Sequence, residues 1–501
     1  MKLHEHQKTY IAAFDIGTTA VKGVLACGDG TLTASRSVDI PTIFEGDFKE
    51  QNPDVWYGAF CEISRGFFCG PNPAVLPQQV VGIVMSGQMQ DVIPIDEAMR
   101  PLGNAILYSD GRGKAQAQRM LERFGAEEIE RITGNHCDGS LSLPKILWLK
   151  ENRPQLFARV HRVLISSKDF VIAQLTGETV GDVTACATAG AMDIHKKAWD
   201  AKLIEGMGLS LFLFPRLLAS HQQAGSVTAA ASQQTGFAQG TPVYAGVGDA
   251  GATTLASGIA RPGQYNINLG TSGWVATVSD DVLPAKMGVF NLAAMPENVY
   301  INVVPFLNAG NVHKWISGLL SPQEGAADYA YIDSLLAKSD PGAEGVMFLP
   351  YLAGERFPVM DSAVRGCFVG LTPETDRKDM VRACLEGVAF SIRQGIESIG
   401  TPPTAVSIIG GGGRVGTWCQ ILADVLKQTV YVYKNAEVLP SLAIASAALL
   451  SQGCIESYAQ FTDSLQSPEN SAAYQPSPAA CDSYDSLYKR YKKLYPAVKG
   501  I

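Results

Sequence analysis

Hydrophobic and polar positions alternate in blocks that switch repeatedly between strand and helix periods. Tyr10 to Ile16 is a near-continuous apolar run and predicts a buried strand. Gly17-Thr18-Thr19 predicts a tight turn, and Ala20 to Cys27 is β-prone again, so the segment reads as a β-hairpin. The pattern returns later: Phe14 to Ala20 lines up with Ile267 to Gly273, each a strand, a small turn and a strand. Copies about half a chain apart imply two related domains rather than a short-period repeat. Between them, 78–96 predicts a buried strand, a loop from Ser86 to Asp91 and a second strand. Helical periods cover Leu143 to Lys150, Phe170 to Leu175, Asp379 to Ile399 and Leu442 to Leu450. Residues 321–345 read as a surface helix pair, and 405–426 as strand, glycine loop and helix. The Pro/Ser-rich stretch 467–483 reads as a loop before a charged last helix, Tyr484 to Tyr495. The alternation predicts an α/β class with mixed sheets. The boundary is expected near Gly240 to Gly246, dividing the chain into 1–242 and 243–501.

Length agrees with that division. The chain has 501 residues, and one hydrophobic core stops growing at roughly 250–300. Hydrophobic residues are 46% and charged residues 18%, which fits a globular chain rather than a disordered one. The net charge of −8 argues against a dedicated nucleic-acid partner, whose phosphates need a basic face. No apolar run is long enough to span a bilayer, and the N-terminal one is cut off by Asp15, so neither a membrane partner nor a signal peptide is expected. Ten cysteines without C-x-x-C spacing read as reduced thiols of a cytoplasmic protein. His4 and His6 lie in a terminus whose context does not favour a metal site.

Three glycine loops after apolar strands could cradle phosphate with backbone N–H groups: Gly17 to Thr19, Gly270 to Gly273, and Gly410 to Gly413. Alone, each reads more plainly as a turn; the matching pair and the four-glycine loop strengthen the phosphate reading. No Walker-type sequence occurs. G-x-G-x-x-G occurs at Gly246–Gly251 and at Gly411–Gly416, so a dinucleotide site is a rival. That reading wants an acid ending the next strand. The first match is followed by Gly270-Thr271; the second has Glu437 just beyond its strand. Asp249 inside the first match would repel a pyrophosphate and suits a substrate hydroxyl better, as the base of a phosphoryl transfer. The plainer reading makes it a helix cap. Asp15, beside a phosphate-type turn, reads as a residue near Mg²⁺, against the plainer reading of a turn cap.

Ordered segments then resemble the FGGY family of carbohydrate kinases. They are DIGTTAVK (15–22), Asn52-Pro53 with Trp56, SGQM (86–89), SDGR (109–112), Lys145 with Trp148, and Lys168-Asp169 with Leu175 to Gly177. GVGDAGA (246–252), NLGTSG (268–273), LPYLAGERFP (349–358), Arg365-Gly366, and GGGGR with Trp418 continue the match. The resemblance implies two actin-like, ribonuclease-H-type domains around a cleft, the first binding sugar and the second ATP. It implies Asp249 as catalytic base and Asp15 near Mg²⁺. It places Thr18 and Lys22 in the first phosphate loop and Gly270 and Thr271 in the second. Gly310, Asn311, Gly412 and Gly413 fall near the nucleotide. Sugar contacts fall to Gln88, Met89, Gln90 and Asp249. A homodimer is compatible with it.

Within the family, SGQM is most similar to the D-xylulose kinases, which implies a ketose substrate. The departures are Gln90-Asp91 where those enzymes read His-Gly, Ala250 for Asn, Val415 for Ser and Tyr108 for Trp. They leave open a kinase of another sugar, polyol or sugar acid such as ribulose, gluconate or glycerol. An actin-like ATP-binding protein without transfer activity is the alternative of another class, and the dinucleotide enzyme is the outsider.

Overall fold

The computed structural model describes residues 8–27, 31–68, 75–284, 288–322, 327–436 and 438–499. His4, His6 and Glu437 lie outside them. The chain forms two compact units. The first comprises Met1–Ala256, Asn291–Tyr300 and Glu437–Phe461; the second comprises Ser257–Phe290, Ile301–Ala436 and Thr462–Ile501.

In the first unit, β1 (Tyr10–Ile16), β2 (Ala20–Cys27) and β3 (Leu32–Asp39) form an antiparallel meander. On the other side of β1 lies β4 (Val80–Gly87), parallel to it. The sheet continues through β6 (Pro242–Tyr244) to β5 (Gln223–Ser226), and the short β7 (Val247–Gly248) also pairs with β4. β1 and β4 are central and covered on both faces, which explains their unbroken apolar sequences. Helix Pro53–Phe68 packs on the β2–β3 side, and the Ala/Ser-rich helix Leu439–Ser451 packs on β1 and β4. Phe14, Trp56, Phe60 and Phe170 centre the core.

In the second unit, β8 (Gln264–Leu269) and β9 (Gly273–Ser279) repeat the first hairpin. Six neighbouring strands of its seven-stranded sheet run in the order β10 (Tyr300–Phe306), β9, β8, β11 (Ala405–Ile409), β12 (Val430–Tyr433), β13 (Ser471–Tyr474). β11 runs parallel to β8, as β4 does to β1. Helix Arg377–Ile399 starts two residues before the expected Asp379 and is bounded by an Asp376/Asp379 capping box and by Gly400 at φ 86°. It is buried along most of its length rather than on one stripe.

Some sequence expectations change. The segment leading to Asp249 is not one strand but two, β6 and β7, broken at Ala245-Gly246, where Gly246 takes φ 65°. The chain leaves the first unit after Ala256, not at 242, because β7 pairs with β4 and helix Asp249–Ala256 packs on Leu439–Ser451. Within 321–345 the described residues hold one α-helix, Tyr329–Leu336, and a short turn of 3₁₀-helix at Ala343–Gly345; 323–326 lie outside them. The stretch read as a loop at 467–483 contains β13 and the start of helix Pro478–Tyr491. β13 is an edge strand in which only Ser471 is buried, so its partner β12 rather than its own polarity defines it.

Candidate functional site

Three parallel strand ends build the first unit's site. Asp15 of β1 lies opposite Ser86 of β4, and Val247 of β7 lies opposite Ser86 from the other side. Gly248 faces Gly87, so Asp249 leaves β7 at the same edge of the sheet as Asp15. Carboxyl ends of parallel strands are where α/β sheets present ligand groups, because loops diverge there and leave a crevice.

Asp15 is half-buried and accepts a hydrogen bond from Ser86 Oγ at 2.8 Å. Burial pushes its carboxyl above the usual range, opposed by the Ser86 bond and by the Lys22 charge. Lys22 sits directly across the hairpin on β2 and is exposed. Asp249 is the first residue of helix Asp249–Ala256. It is open to water, yet enough protein surrounds it to weaken solvent stabilisation of a charge. Its carboxyl is pushed up to about 7, by that desolvation first and the Asp15 charge second, against a backbone bond from Ala250. As the first residue of the helix it lies inside the cap position, and its carboxyl is available as an acceptor.

Gln88 is buried, and its amide is committed within the protein. Its Oε1 accepts from Thr18 Oγ1 at 2.8 Å and its Nε2 donates to Gln51 Oε1 at 2.9 Å. Gln51 in turn donates to the Thr18 carbonyl at 2.7 Å and accepts from Trp56 Nε1 at 3.0 Å. Gln88 thus fixes the Thr18 turn to the end of β4. Met89 packs its sulfur against Gly248, where any Cβ would overlap it. Gln90 takes φ 64°, a left-handed conformation unfavourable for a side-chain-bearing residue. Its amide donates to Ser140 Oγ at 2.8 Å, and its carbonyl accepts from Lys145 Nζ at 2.7 Å. Asp91 is fully buried beside it, with its carboxyl well above the usual range because of desolvation.

In the second unit the glycine loops line a cavity of about 590 Å³. Gly270 and Thr271 close one side, and Gly310, Gly411 and Gly412 approach from two others. Gly310 N–H donates to Gly270 O at 2.8 Å and Asn311 N–H to Thr271 O at 2.9 Å, locking the two loops together. A Cβ on Gly310 would overlap that Gly270 carbonyl. Gly410 turns at φ 89° over the end of β8. Asn311 and Gly413 shape these loops, whereas Gly270, Thr271, Gly310 and Gly412 line the space. The lining also holds His313, Tyr329, Arg414 and Trp418. The His313 ring lies 5.3 Å from Tyr329 and 5.7 Å from Trp418, and burial lowers its pKa. A glycine floor with aromatic walls suits a flat heteroaromatic ring carrying phosphates.

Sequence reasoning missed Ser86 as the Asp15 partner, Gln51, and the His313, Tyr329 and Arg414 lining. Arg414, next to the four glycines, carried a local signal. The others depend on distant register.

A repeated hairpin-and-parallel-strand unit, phosphate-type turns and an accessible raised carboxylate define an actin-like phosphotransferase. The FGGY family of carbohydrate kinases supplies both family-model matches, its N-terminal domain over residues 10–256 and its C-terminal domain over 265–445, and the chain belongs to that family. It is 31% identical to a xylulose kinase of Bacillus subtilis (strain 168), covering 98% of each chain. It is 26% identical to that organism's gluconokinase, covering 97% of this chain and 94% of the other. The crystal structure of xylulose kinase from Rhodospirillum rubrum superposes with a TM-score of 0.85 at 26% identity, over 98% of this chain and 99% of that one. The protein is therefore a sugar kinase that uses ATP. Among the described residues no helix is long and apolar enough to cross a membrane.

Proposed function

We propose that the protein transfers the γ-phosphoryl group of ATP to a hydroxyl of D-xylulose, giving the 5-phosphate. The observation that carries this reading is Asp249, an accessible carboxylate raised to about 7 at the strand ends that also present Asp15. A base poised near neutral pH takes a hydroxyl proton efficiently. The substrate oxygen bonds to the γ-phosphorus, its proton passes to the Asp249 carboxylate, and the bond from phosphorus to the β-phosphate oxygen breaks to release ADP. Gln90 and Met89 border the acceptor. The Thr271 turn offers its hydroxyl and backbone N–H groups to phosphate oxygens. The nucleotide is assigned to the second unit's cavity.

Among the described residues no cluster of three or more acidic, His or Cys side chains forms a metal cage. Asp15 offers one oxygen beyond its Ser86 bond, which fits Mg²⁺ held through one carboxylate and the nucleotide phosphates. Such an ion would neutralise phosphate charge.

The xylulose reading draws on the SGQM segment and on relatives bearing that name. The gluconokinase likeness motivates a second reading, a sugar-acid acceptor. Charge favours the first. Asp15 and Asp249 would repel an acceptor carboxylate, and Lys145 already donates to the Gln90 and Leu107 carbonyls. A coupled ADP-release assay across pentuloses, hexuloses, polyols and aldonates tests both. D-Xylulose should give the highest kcat/KM. Preferential turnover of gluconate would replace the first reading with the second. Asp249→Asn should lower kcat by about 10²–10⁴-fold with nucleotide affinity little changed; near-normal turnover would remove Asp249 as the base.

A further inference from the structure

Behind Asp249 lies a buried ion cluster that the reaction above does not use. Lys168, Asp169 and Asp182 are each fully buried. Lys168 Nζ lies 2.6 Å from Asp169 Oδ1 and 2.8 Å from Asp182 Oδ2. Three buried charges are costly to desolvate, and their replacement by apolar groups is often neutral or stabilising. Stability alone therefore gives a weak reason for them, and their hydrogen bonds indicate what else they do.

Asp182 Oδ1 accepts from three backbone N–H groups. Two belong to the short turn that Asp182 caps: Thr184 at 3.0 Å and Ala185 at 3.1 Å. The third is Gly248 at 3.2 Å, the peptide immediately before Asp249. The capped turn also touches the Asp249 loop from the side. A Cβ on Gly248 would come within 3.2 Å of Ala185 Cβ, and one on Gly251 within 3.2 Å of Thr184 Cγ2. So one carboxylate holds the amide before Asp249 and seats the turn that wedges the loop on both sides of it. Asp169 serves the same cluster but bonds elsewhere: its Oδ2 accepts from Ser166 N–H at 3.2 Å.

We propose that Asp182, anchored by Lys168, is a positioning residue that fixes the Gly248–Asp249 peptide and so aims the Asp249 carboxylate. The proposal rests on the phosphoryl-transfer reading of Asp249. A displacement near 1 Å at a reacting group can cost about 10²-fold in rate.

Asp182 and Asp169 make matched controls. Replacing either with Asn removes one carboxylate and leaves Lys168 paired with the other. Only Asp182 touches Gly248. Asp182→Ala should lower kcat about 10- to 100-fold, with KM for ATP within twofold of the parent. Asp182→Asn keeps an acceptor oxygen and should restore most of that loss. Asp169→Asn should stay within about threefold of the parent. If Asp182→Ala does not fold, Asp182→Ser takes its place, since Ser still caps the turn but is too short for Gly248. Hydrogen exchange at the Gly248 amide supplies a readout free of turnover. It should be slow in the parent and faster in Asp182→Ala or Asp182→Ser, and unchanged exchange would overturn the proposal. Equal loss of kcat in Asp169→Ala and Asp182→Ala at equal loss of Tm would also overturn it, leaving a purely structural cluster. Failure of the function reading looks different: Asp249→Asn would then retain turnover, or no sugar would elicit ADP release, whatever the Gly248 exchange shows.

Discussion

Asp249 is the first residue of its helix and remains open to solvent, as the proposed base must. Its raised pKa sets a testable pH dependence. In the proposed role Asp249 acts as carboxylate, so protonation would stop the reaction, and kcat/KM should rise with pH through an acid limb near 7. The sign follows from the causes: desolvation and the Asp15 charge both oppose ionisation, so the limb lies above the usual carboxylate range rather than below it. A pH profile flat from 5.5 upward would assign the proton to another group. Asp15 and Asp249 were legible because an acid after an apolar strand and beside glycine is a local pattern. Ser86, Gln51 and Asp182 were not. Ser86 reaches Asp15 only through the register of β4 against β1, and Asp182 reaches Gly248 only because β7 closes on the far side of β4. Register across so many residues leaves no trace in local composition.

At the scale of elements, the two G-x-G-x-x-G matches separate cleanly. In the first, the glycines serve packing. A Cβ on Gly246 would overlap the Met85 carbonyl oxygen, and one on Gly248 the Met89 sulfur. Gly246 is also at φ 65°. That loop therefore presses against β4 and leaves no cradle for a pyrophosphate. The second match belongs to the loop lining the nucleotide-type cavity, where a Cβ on Gly411 would meet nothing within 4 Å. Two alanine substitutions should thus behave oppositely. Gly246→Ala should lose about 3 kcal/mol or more of unfolding free energy, from backbone strain added to overlap. Gly411→Ala should change stability by less than about 0.5 kcal/mol. Being on the cavity wall, it should raise the ATP dissociation constant at least threefold. Urea titration and calorimetry read the two effects. A stable Gly246→Ala protein would show that the loop yields more than its geometry allows. Where the sequence misled, at 321–345 and 467–483, composition described surface polarity while pairing decided structure. β13 is a strand because β12 offers an unpaired edge.

For the whole molecule, the repeated hairpin was readable from Phe14–Ala20 against Ile267–Gly273, and the structure extends the repeat to the parallel neighbour of each hairpin. The copies have diverged in what their strand ends carry. The first unit presents Asp15 and Asp249 with Gln90 in a left-handed conformation; the second presents glycines, His313 and Trp418. Acidic strand ends suit a neutral polyol, and a glycine cavity with aromatic walls suits a nucleotide. This division of labour predicts a crossed pattern of kinetic effects. Gly310→Ala, which would force a Cβ into the Gly270 carbonyl, should raise KM for ATP at least tenfold and leave KM for sugar within twofold. Gln90→Ala should do the reverse, because its amide and conformation belong to the loop proposed to border the acceptor. The two residues share no bonding partner, so in the double variant the separate penalties should multiply within about twofold, as for independent sites. If Gln90→Ala raised KM for ATP as much as KM for sugar, the first unit would be handling nucleotide as well. The duplicated hairpins would then have kept a common ligand instead of dividing two.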